Sequence, residues 1–160
     1  MFNLFKKKDT NENEMNAPVK GKCIDITDVK DPVFSGKMMG DGVAVIPESN
    51  VIKSPCSGTV TMIFPTKHAF GITTNTGVEV LVHIGIDTVN LNGKGFIAYV
   101  SKDQKIQKGD KVIAFDSKYL SDSAMDMTTM IIVTNSNNHS FEKNKVSMEV
   151  SEKDAIISLK

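Results

Sequence analysis

The sequence of 160 residues contains no arginine and no tryptophan. All 19 basic residues are lysines, and they balance 19 acidic residues to a formal net charge of zero. Without arginine there is no bidentate grip on phosphate or guanine, and without net positive charge there is no long-range attraction to nucleic acid. Aromatic residues make up only 6% of the chain, too few for a base-stacking surface. We therefore predict no nucleic-acid partner.

Cysteines and long apolar runs are also scarce. Cys23 and Cys56 are too few and too far apart for a disulfide framework or a zinc cluster, which favours reduced thiols in a cytoplasmic protein. No stretch approaches the length of a membrane-spanning helix, and the N-terminal run is not a signal peptide, because its charges follow a short apolar part. Residues 1–8 combine three apolar side chains with three lysines, a pattern that suits either contact with an anionic membrane surface or a solvated tail.

The length of the chain suggests one domain. Residues 9–16 are polar, so we predict a flexible tail over 1–16 and a folded domain over 17–160. In that domain, short runs rich in β-branched residues alternate with Gly, Asn, Asp and Pro, which is typical of an antiparallel barrel or sandwich. The clearest predicted strands are 43–46, 58–64, 78–84 and 131–133. One short helix is predicted after Asp116, which would cap it and place Leu120 and Ala124 on one face.

A faint internal repeat accompanies these strands. Residues 17–21 (APVKG) echo residues 54–58 (SPCSG). Two related half-motifs within one barrel would explain the echo.

Two of the three histidines, His68 and His83, lie in segments that are predicted to form a hairpin. If residues 74–77 form its loop, the two histidines lie directly opposite each other, with Cβ atoms about 4.5–5.5 Å apart. A three-residue loop would shift the register by one and place them on opposite faces. On the second strand, Leu81 and His83 share one face, and the valines on either side of them share the other. The sequence does not decide the length of the loop.

A pair of imidazoles among apolar residues suits phosphoryl transfer. A neutral imidazole whose Nδ1–H is held by a carbonyl presents its other nitrogen as a nucleophile. The second imidazole can donate a hydrogen bond to the phosphoryl group, and an apolar surround slows hydrolysis of the phosphoramidate. The same nitrogens could instead bind zinc, but two ligands fall short of the usual three or four. His139 lies in a polar segment predicted to be a surface loop, and we assign it no role.

Several runs closely resemble the glucose-type IIA family of the bacterial phosphoenolpyruvate-dependent sugar phosphotransferase system. They are FPTKHAFG at 64–71, VHIGIDTV at 82–89, DPVF at 31–34, MGDG at 39–42 and LNGKGF at 91–96. The resemblance extends from about residue 17 to the C-terminus. It implies an all-β, antiparallel barrel-sandwich (the duplicated hybrid motif) with at most one or two short helices.

The resemblance also implies a reaction. The protein would be a phosphotransferase component that needs no cofactor and has no small-molecule substrate of its own. The phosphohistidine of the carrier HPr would give its phosphoryl group to Nε2 of His83, which passes it to a cysteine on the IIB domain of a glucose-type sugar permease. On this basis His68 hydrogen-bonds the phosphoryl group, Thr66 orients the His68 imidazole, and the carbonyl of Gly85 fixes the tautomer of His83. We expect a monomer.

Seven residues match the surface onto which HPr and IIB dock in this family. They are the apolar rim residues Val33, Phe34, Phe64, Phe70 and Leu81 and the acidic residues Asp31 and Asp87. Leu81 stands where many members have phenylalanine, so one rim position is smaller. Met130 stands where relatives often have proline, which bears on strand geometry rather than on chemistry.

Three alternatives remain from the sequence. A regulatory module would bind sugar permeases and glycerol kinase in its unphosphorylated form, as enteric relatives do, with zinc shared between His68, His83 and a partner carboxylate. A zinc peptidase would use the H-x-x-x-D spacing of His83 and Asp87, yet the chain lacks a His-x-His element for a third ligand and a base. A biotinyl or lipoyl carrier would need a lysine between methionines at a hairpin tip, and Lys37 lies outside the pair at 38–39.

Overall fold

A computed structural model gives the fold and describes residues 12–160. The predicted membrane contact of residues 1–8 lies outside this range. Within the range, no helix has both the length and the apolar character needed to span a lipid bilayer.

Short strands dominate the described chain. The first seven are β1 (Glu14–Asn16), β2 (Gly21–Asp25), β3 (Asp41–Pro47), β4 (Val51–Lys53), β5 (Gly58–Ile63), β6 (Ala69–Thr73) and β7 (Glu79–Ile84). The other seven are β8 (Phe96–Ala98), β9 (Lys105–Ile106), β10 (Lys111–Phe115), β11 (Thr129–Val133), β12 (Phe141–Lys143), β13 (Glu149–Val150) and β14 (Ala155–Leu159). Two short helices, α1 (Pro32–Ser35) and α2 (Ser117–Asp122), and three 3₁₀ turns (Ile26–Asp28, Thr88–Leu91 and Ser136–Asn138) interrupt them. The predicted all-β fold with two short helices is confirmed.

The strands form three antiparallel sheets. The largest has eight strands in the order β13-β2-β3-β11-β7-β6-β5-β9, and the two smaller sheets have the orders β1-β14-β12 and β4-β10-β8. All four strands predicted from β-branched runs fall inside these sheets. The predicted helix is α2, where a side-chain oxygen of Asp116 accepts the N–H of Tyr119 at 3.0 Å. Ala124 lies beyond the end of α2 in a left-handed conformation, so it does not share the helix face with Leu120.

Alternation across the eight-stranded sheet separates two apolar clusters. On β7, Val80, Val82 and Ile84 point into the large core beneath the sheet. Leu81 points the other way, into a small cluster of buried residues. That cluster comprises Ile26, Val29, Phe34, Ala44, Ala69, Leu81, Met130 and Ile132. The predicted two-sided pattern of this strand is confirmed.

The two echoing segments make equivalent contacts. The N–H of Asn16 donates to the carbonyl of Pro55 at 2.9 Å, and the N–H of Lys53 donates to the carbonyl of Pro18 at 2.8 Å. Each donor precedes its own segment by one position, so the two bonds are related by exchange of the segments. The faint repeat of the sequence therefore corresponds to a structural repeat, in which the two segments are joined by a pair of equivalent backbone hydrogen bonds.

The folded domain begins earlier than predicted. Strand β1 pairs with β14 at the C-terminus, and Met15 is fully buried. The polar composition of residues 9–16 placed this strand in the linker. Two buried residues, Met15 and Asn16, together with backbone hydrogen bonds to β14, order residues 14–16, and backbone hydrogen bonds do not depend on an apolar composition.

A cluster of charges closes one edge of the large core. Nζ of Lys143 on β12 donates to side-chain oxygens of Asp25 and Asp41, at 2.7 Å in each case. Burial alone would raise the pKa of Asp25, but the hydrogen bonds from Lys143 and Thr27 lower it to about 2. Cys23 and Cys56 are buried as free thiols, as predicted.

Candidate active site

Strands β6 and β7 form the predicted hairpin, in the register that a three-residue loop produces. Ala69 pairs with His83, and the N–H of Thr74 donates to the carbonyl of Val78 at 2.9 Å to close the loop. Of the two loop lengths that the sequence left open, the structure has the three-residue loop, and His68 does not pair directly with His83. The two imidazoles are nonetheless neighbours, with ring centroids 4.8 Å apart and planes inclined at 80°.

His68 lies in the bend just before β6, where its carbonyl still accepts the N–H of Ile84 at 2.7 Å although its side chain does not follow the alternation of the strand. The preceding residue, Lys67, has a left-handed backbone with φ of 60°, and its N–H donates to the carbonyl of Phe64 at 2.7 Å. This tight turn reorients the chain, so the imidazole of His68 lies on the same face as that of His83. The expectation that a register shift would separate the histidines was wrong because it assumed strand geometry at His68.

The backbone at Gly85 defines the tautomer of His83. Nδ1 of His83 lies 2.9 Å from the carbonyl oxygen of Gly85. A carbonyl can only accept a hydrogen bond, so Nδ1 carries the hydrogen and Nε2 of the neutral ring keeps its lone pair. Gly85 has a φ of 82°, and a Cβ there would lie 2.5 Å from Cγ2 of Thr88. Only glycine fits this position without strain.

His68 is held by the hydroxyl of Thr66. Oγ1 of Thr66 lies 2.6 Å from Nδ1 of His68, and the imidazole is only 3% exposed. The ring of Phe64 covers it from one side at a centroid distance of 5.2 Å. When the hydroxyl donates to Nδ1, the neutral ring carries its hydrogen on Nε2 and can act as a donor.

Both imidazoles are desolvated. Burial, with a smaller contribution from the neighbouring His83, lowers the pKa of His68 to about 4. Burial also lowers the pKa of His83, although the Gly85 carbonyl and the negative charges of Asp31 and Asp87 act in the opposite direction. Near neutral pH the site therefore holds two uncharged rings, one of which has a free nitrogen lone pair.

Four predicted docking residues lie around these rings. Val33 on α1 is 42% exposed, and Asp31 caps that helix by accepting the N–H of Val33 at 2.9 Å. Phe34 is buried, and its ring lies 4.7 Å from that of His83. It is thus a wall of the site rather than an exposed rim residue. Phe64 is half-buried beside His68, as described above.

Two predicted rim residues do not belong to the rim. Phe70 is fully buried in the large core, because it pairs with Val82 and points away from the histidines. Only the alternative register with a four-residue loop would place Phe70 opposite Leu81, on the face of the histidines. Leu81 itself lies on the correct face but is 8% exposed and packs within the small cluster.

The sequence interpretation missed three exposed apolar residues, which lie just after α1 and just after Asp87. Met38 and Met39 come after α1 and are 76% and 41% exposed. Val89, two residues after the exposed Asp87, is 46% exposed. Their only sequence signal is an apolar side chain within a Gly- and Asp-rich segment. Met130, which had been discussed for strand geometry alone, is fully buried and pairs directly with His83.

The site has too few ligand side chains to hold a metal ion by itself. Among residues 12–160 no group of three or more His, Cys, Asp or Glu side chains could hold a metal ion. His139 lines a separate groove with Lys37 and Lys160. Two imidazoles alone do not complete a zinc site, so the peptidase alternative lacks its third ligand. Zinc shared with a partner carboxylate stays a prediction.

Comparisons with known proteins agree with this geometry. The family model for the phosphoenolpyruvate-dependent sugar phosphotransferase system, EIIA 1, matches residues 13–139. The glucose-specific EIIA components of Bacillus cereus and Bacillus anthracis are each 44% identical over 135 residues, which is 84% of this chain and 81% of theirs. The beta-glucoside-specific EIIBCA component of Bacillus subtilis is 41% identical over 145 residues, 91% of this chain and 24% of that protein. The structure of glucose permease IIA from Mycoplasma capricolum matches with a TM-score of 0.84 and 39% identity, over 98% of each chain.

Proposed function

Since the chain belongs to the EIIA 1 family of the phosphoenolpyruvate-dependent sugar phosphotransferase system and is one of its phosphocarriers, we propose that His83 is the residue that carries the phosphoryl group. One observation supports this assignment above the others. The 2.9 Å contact between Nδ1 of His83 and the carbonyl of Gly85 leaves Nε2 as the free nitrogen of a neutral ring.

The proposed transfer exchanges one phosphorus–nitrogen bond for another. The bond to the phosphohistidine of HPr breaks as a new bond forms to Nε2 of His83. The hydrogen stays on Nδ1 throughout and is donated in a hydrogen bond to the Gly85 carbonyl. His68, oriented by Thr66, donates a hydrogen bond from Nε2 to an oxygen of the incoming phosphoryl group, whose charge it stabilises.

The surroundings of His83 suit a group that is held briefly and then passed on. The rings of Phe34 and Phe64 limit the access of water, which slows hydrolysis of the phosphohistidine. The negative charges of Asp31 and Asp87 act on His83 and would repel a phosphoryl group bound there. Because the site excludes water and also repels the bound phosphoryl group, it favours transfer of that group to the next component.

The next component is proposed to be the IIB domain of a sugar permease, through its cysteine. The relatives are named glucose-specific and beta-glucoside-specific, so a permease of this class is the expected partner. The sugar itself is selected by the permease. This role places the protein in the cytoplasm, where HPr and the IIB domain are found.

The decisive experiment is intact mass spectrometry after incubation with phosphoenolpyruvate, enzyme I and HPr. The wild-type protein should gain one acid-labile phosphoryl group, and His83→Gln should gain none. His68→Gln should still accept the group from HPr but should pass it to IIB poorly. His139→Gln, a histidine outside the site, is the matched control and should behave like wild type. Phosphorylation of His83→Gln at an equal rate would overturn the assignment.

A second use of the site is regulation by the unphosphorylated protein, with a zinc ion shared by His68, His83 and a partner carboxylate. It is supported by the 4.8 Å separation of the two ring centroids. Calorimetric titration of zinc should show weak binding to the protein alone, because two ligands are too few, and tighter binding when a partner is present. Equal zinc affinity in His68→Gln would contradict this use.

A further inference from the structure

The ladder between β7 and β11 is irregular next to the site. Ile84 pairs with Thr129 at the end of this ladder, and one further step in the same antiparallel register places Gly85 opposite Thr128. The N–H of Gly85 donates to the carbonyl of Thr128 at 3.0 Å. In a regular antiparallel ladder such a pair exchanges two hydrogen bonds, so the N–H of Thr128 would donate back to the carbonyl of Gly85.

The return bond is replaced by a local one. The N–H of Thr128 donates to Oδ1 of Asp126 at 2.9 Å, and the hydroxyl of Thr128 donates to the same oxygen at 2.7 Å. The carbonyl of Gly85, which would otherwise take the amide of Thr128, accepts the hydrogen of Nδ1 of His83 at 2.9 Å. The N–H of Thr128 therefore bonds to Asp126 and the carbonyl of Gly85 bonds to His83, whereas in a regular ladder these two backbone groups would bond to each other.

The replacement costs the sheet little. The N–H of Ile86 donates to the backbone carbonyl of Asp126 at 2.8 Å, so the two segments stay hydrogen-bonded beyond the interrupted pair, with the register shifted by one residue. Thr128 is only 7% exposed, so its N–H has little access to water. A buried N–H needs an acceptor, and the carbonyl of Gly85 is the one that the ladder offers if the carboxylate is removed.

We propose that Asp126 is a positioning residue for phosphoryl acceptance. Its carboxylate occupies the amide of Thr128 and so reserves the carbonyl of Gly85 for Nδ1 of His83. A carbonyl oxygen has two lone pairs, but a second donor from β11 would draw the peptide plane away from the imidazole and weaken the bond that fixes its tautomer. This inference rests on His83 as the acceptor and assigns the control of its tautomer to a side chain in another segment.

The test compares three variants at one position. Asp126→Ala removes the acceptor, Asp126→Asn keeps an oxygen in the same place without the charge, and Asp126→Glu keeps the charge but is too long for the same turn. Asp122→Ala, an exposed carboxylate on α2 that pairs with Lys118, is the control for loss of charge.

The first measurement is the tautomer of His83, read from long-range ¹H–¹⁵N NMR spectra of the imidazole. Wild type, Asp126→Asn and Asp122→Ala should show hydrogen on Nδ1 alone. Asp126→Ala and Asp126→Glu should show a mixture of the two tautomers. Because this readout needs no phosphorylation, it tests the positioning role even if another residue proves to be the acceptor.

The second measurement is the rate of phosphoryl transfer from phosphorylated HPr. Asp126→Ala and Asp126→Glu should be slower by roughly threefold to tenfold, the size expected when one ordinary hydrogen bond is weakened. Asp126→Asn should stay within about twofold of wild type, since its oxygen still accepts a hydrogen bond. If Asp126→Ala does not fold, Asp126→Glu carries the same test. A single Nδ1–H tautomer together with a wild-type rate in Asp126→Glu would overturn the proposal.

Discussion

The two faces of the eight-stranded sheet share one backbone and serve different purposes. On β7, Val82 is fully buried in the large core, whereas the next residue, His83, lies over the small cluster on the opposite face. The large-core face is closed by apolar side chains and, at its edge, by Lys143. The site face is capped only by short segments, among them α1, whose Phe34 packs on His83. The large core thus supplies most of the buried apolar packing, and the opposite face carries two uncharged imidazoles, of which His68 is buried and His83 is partly exposed.

The comparison predicts that the largest loss of stability comes from the large core. Phe70→Ala should lower the free energy of unfolding by about 3–5 kcal/mol, because it removes a fully buried aromatic ring. Urea denaturation measures this change. Phe34→Ala on the site face is the matched variant, and it should cost less stability while altering the environment of His83. If Phe70→Ala keeps normal stability but binds HPr weakly, then Phe70 belongs to the docking surface and the proposed difference between the two faces is wrong.

A second prediction concerns the pH dependence of stability, in which the site face should respond between about pH 6.5 and pH 4. The pKa of His68 falls from 6.5 to about 4 on folding, so the unfolded chain takes up a proton first as the pH falls. The stabilisation is therefore complete above about pH 6.5 and is lost between there and about pH 4, by at most about 3 kcal/mol. Urea denaturation across this range should show a smaller decline in His68→Gln. An unchanged decline would mean that His68 is not buried as a neutral ring.

The contribution of the charged edge of the large core to the free energy of unfolding should change at lower pH. The pKa of Asp25 is held at about 2, so its contribution to stability is present above about pH 4 and is lost as the pH falls through 2. Lys143→Met should remove that contribution at all pH values and lower the free energy of unfolding by about 1–3 kcal/mol at pH 7. Denaturation at pH 7 and pH 3 provides the measurement. Phosphorylation of His83 should be unaffected, since the cluster lies on the other face.

The smallest effect on stability should come from the exposed apolar residues. Val33→Ser beside the site and Ile97→Ser on the sheet β4-β10-β8 replace side chains that are 42% and 59% exposed. Each should change the free energy of unfolding by less than about 0.5 kcal/mol. Only Val33→Ser should slow phosphoryl transfer from HPr, by roughly twofold to tenfold, because it removes apolar contact area from the proposed docking surface. Equal transfer rates in the two variants would show that α1 does not contact HPr.

The strands and their faces could be predicted because β-branched residues and alternation are local properties. The register of the hairpin could not be predicted, since a three-residue and a four-residue loop fit residues 74–77 equally well. The meeting of the histidines depends on the left-handed backbone of Lys67, and lysine is not a residue whose presence signals that conformation. Phe70 would share a face with the histidines only in the register of the four-residue loop, which the structure does not have.

The pair His68 and His83 was identified from its chemistry, whereas the residues that support it were identified by resemblance. Thr66 and Gly85 occupy the positions that the motifs imply, within 3 Å of the imidazole nitrogens that they contact. Asp126 could not have been found in this way. Its carboxylate bonds two positions along its own segment, and its consequence for His83 exists only because β11 and β7 lie side by side.

The pairing of β1 with β14 has a consequence for how the domain can be built into larger proteins. The carbonyl of Asn13 accepts the N–H of Leu159 at 2.6 Å, so the first and last strands of the described chain bring residues 13 and 159 together. A domain whose two ends are adjacent can be fused at either end, or inserted into a host loop through short linkers, without disturbing its own packing. Joining residues 13 and 159 and opening the chain at an exposed turn should likewise give a circular permutant with the same architecture. Modularity of this kind fits the EIIBCA relative, of which the matched region is 24%.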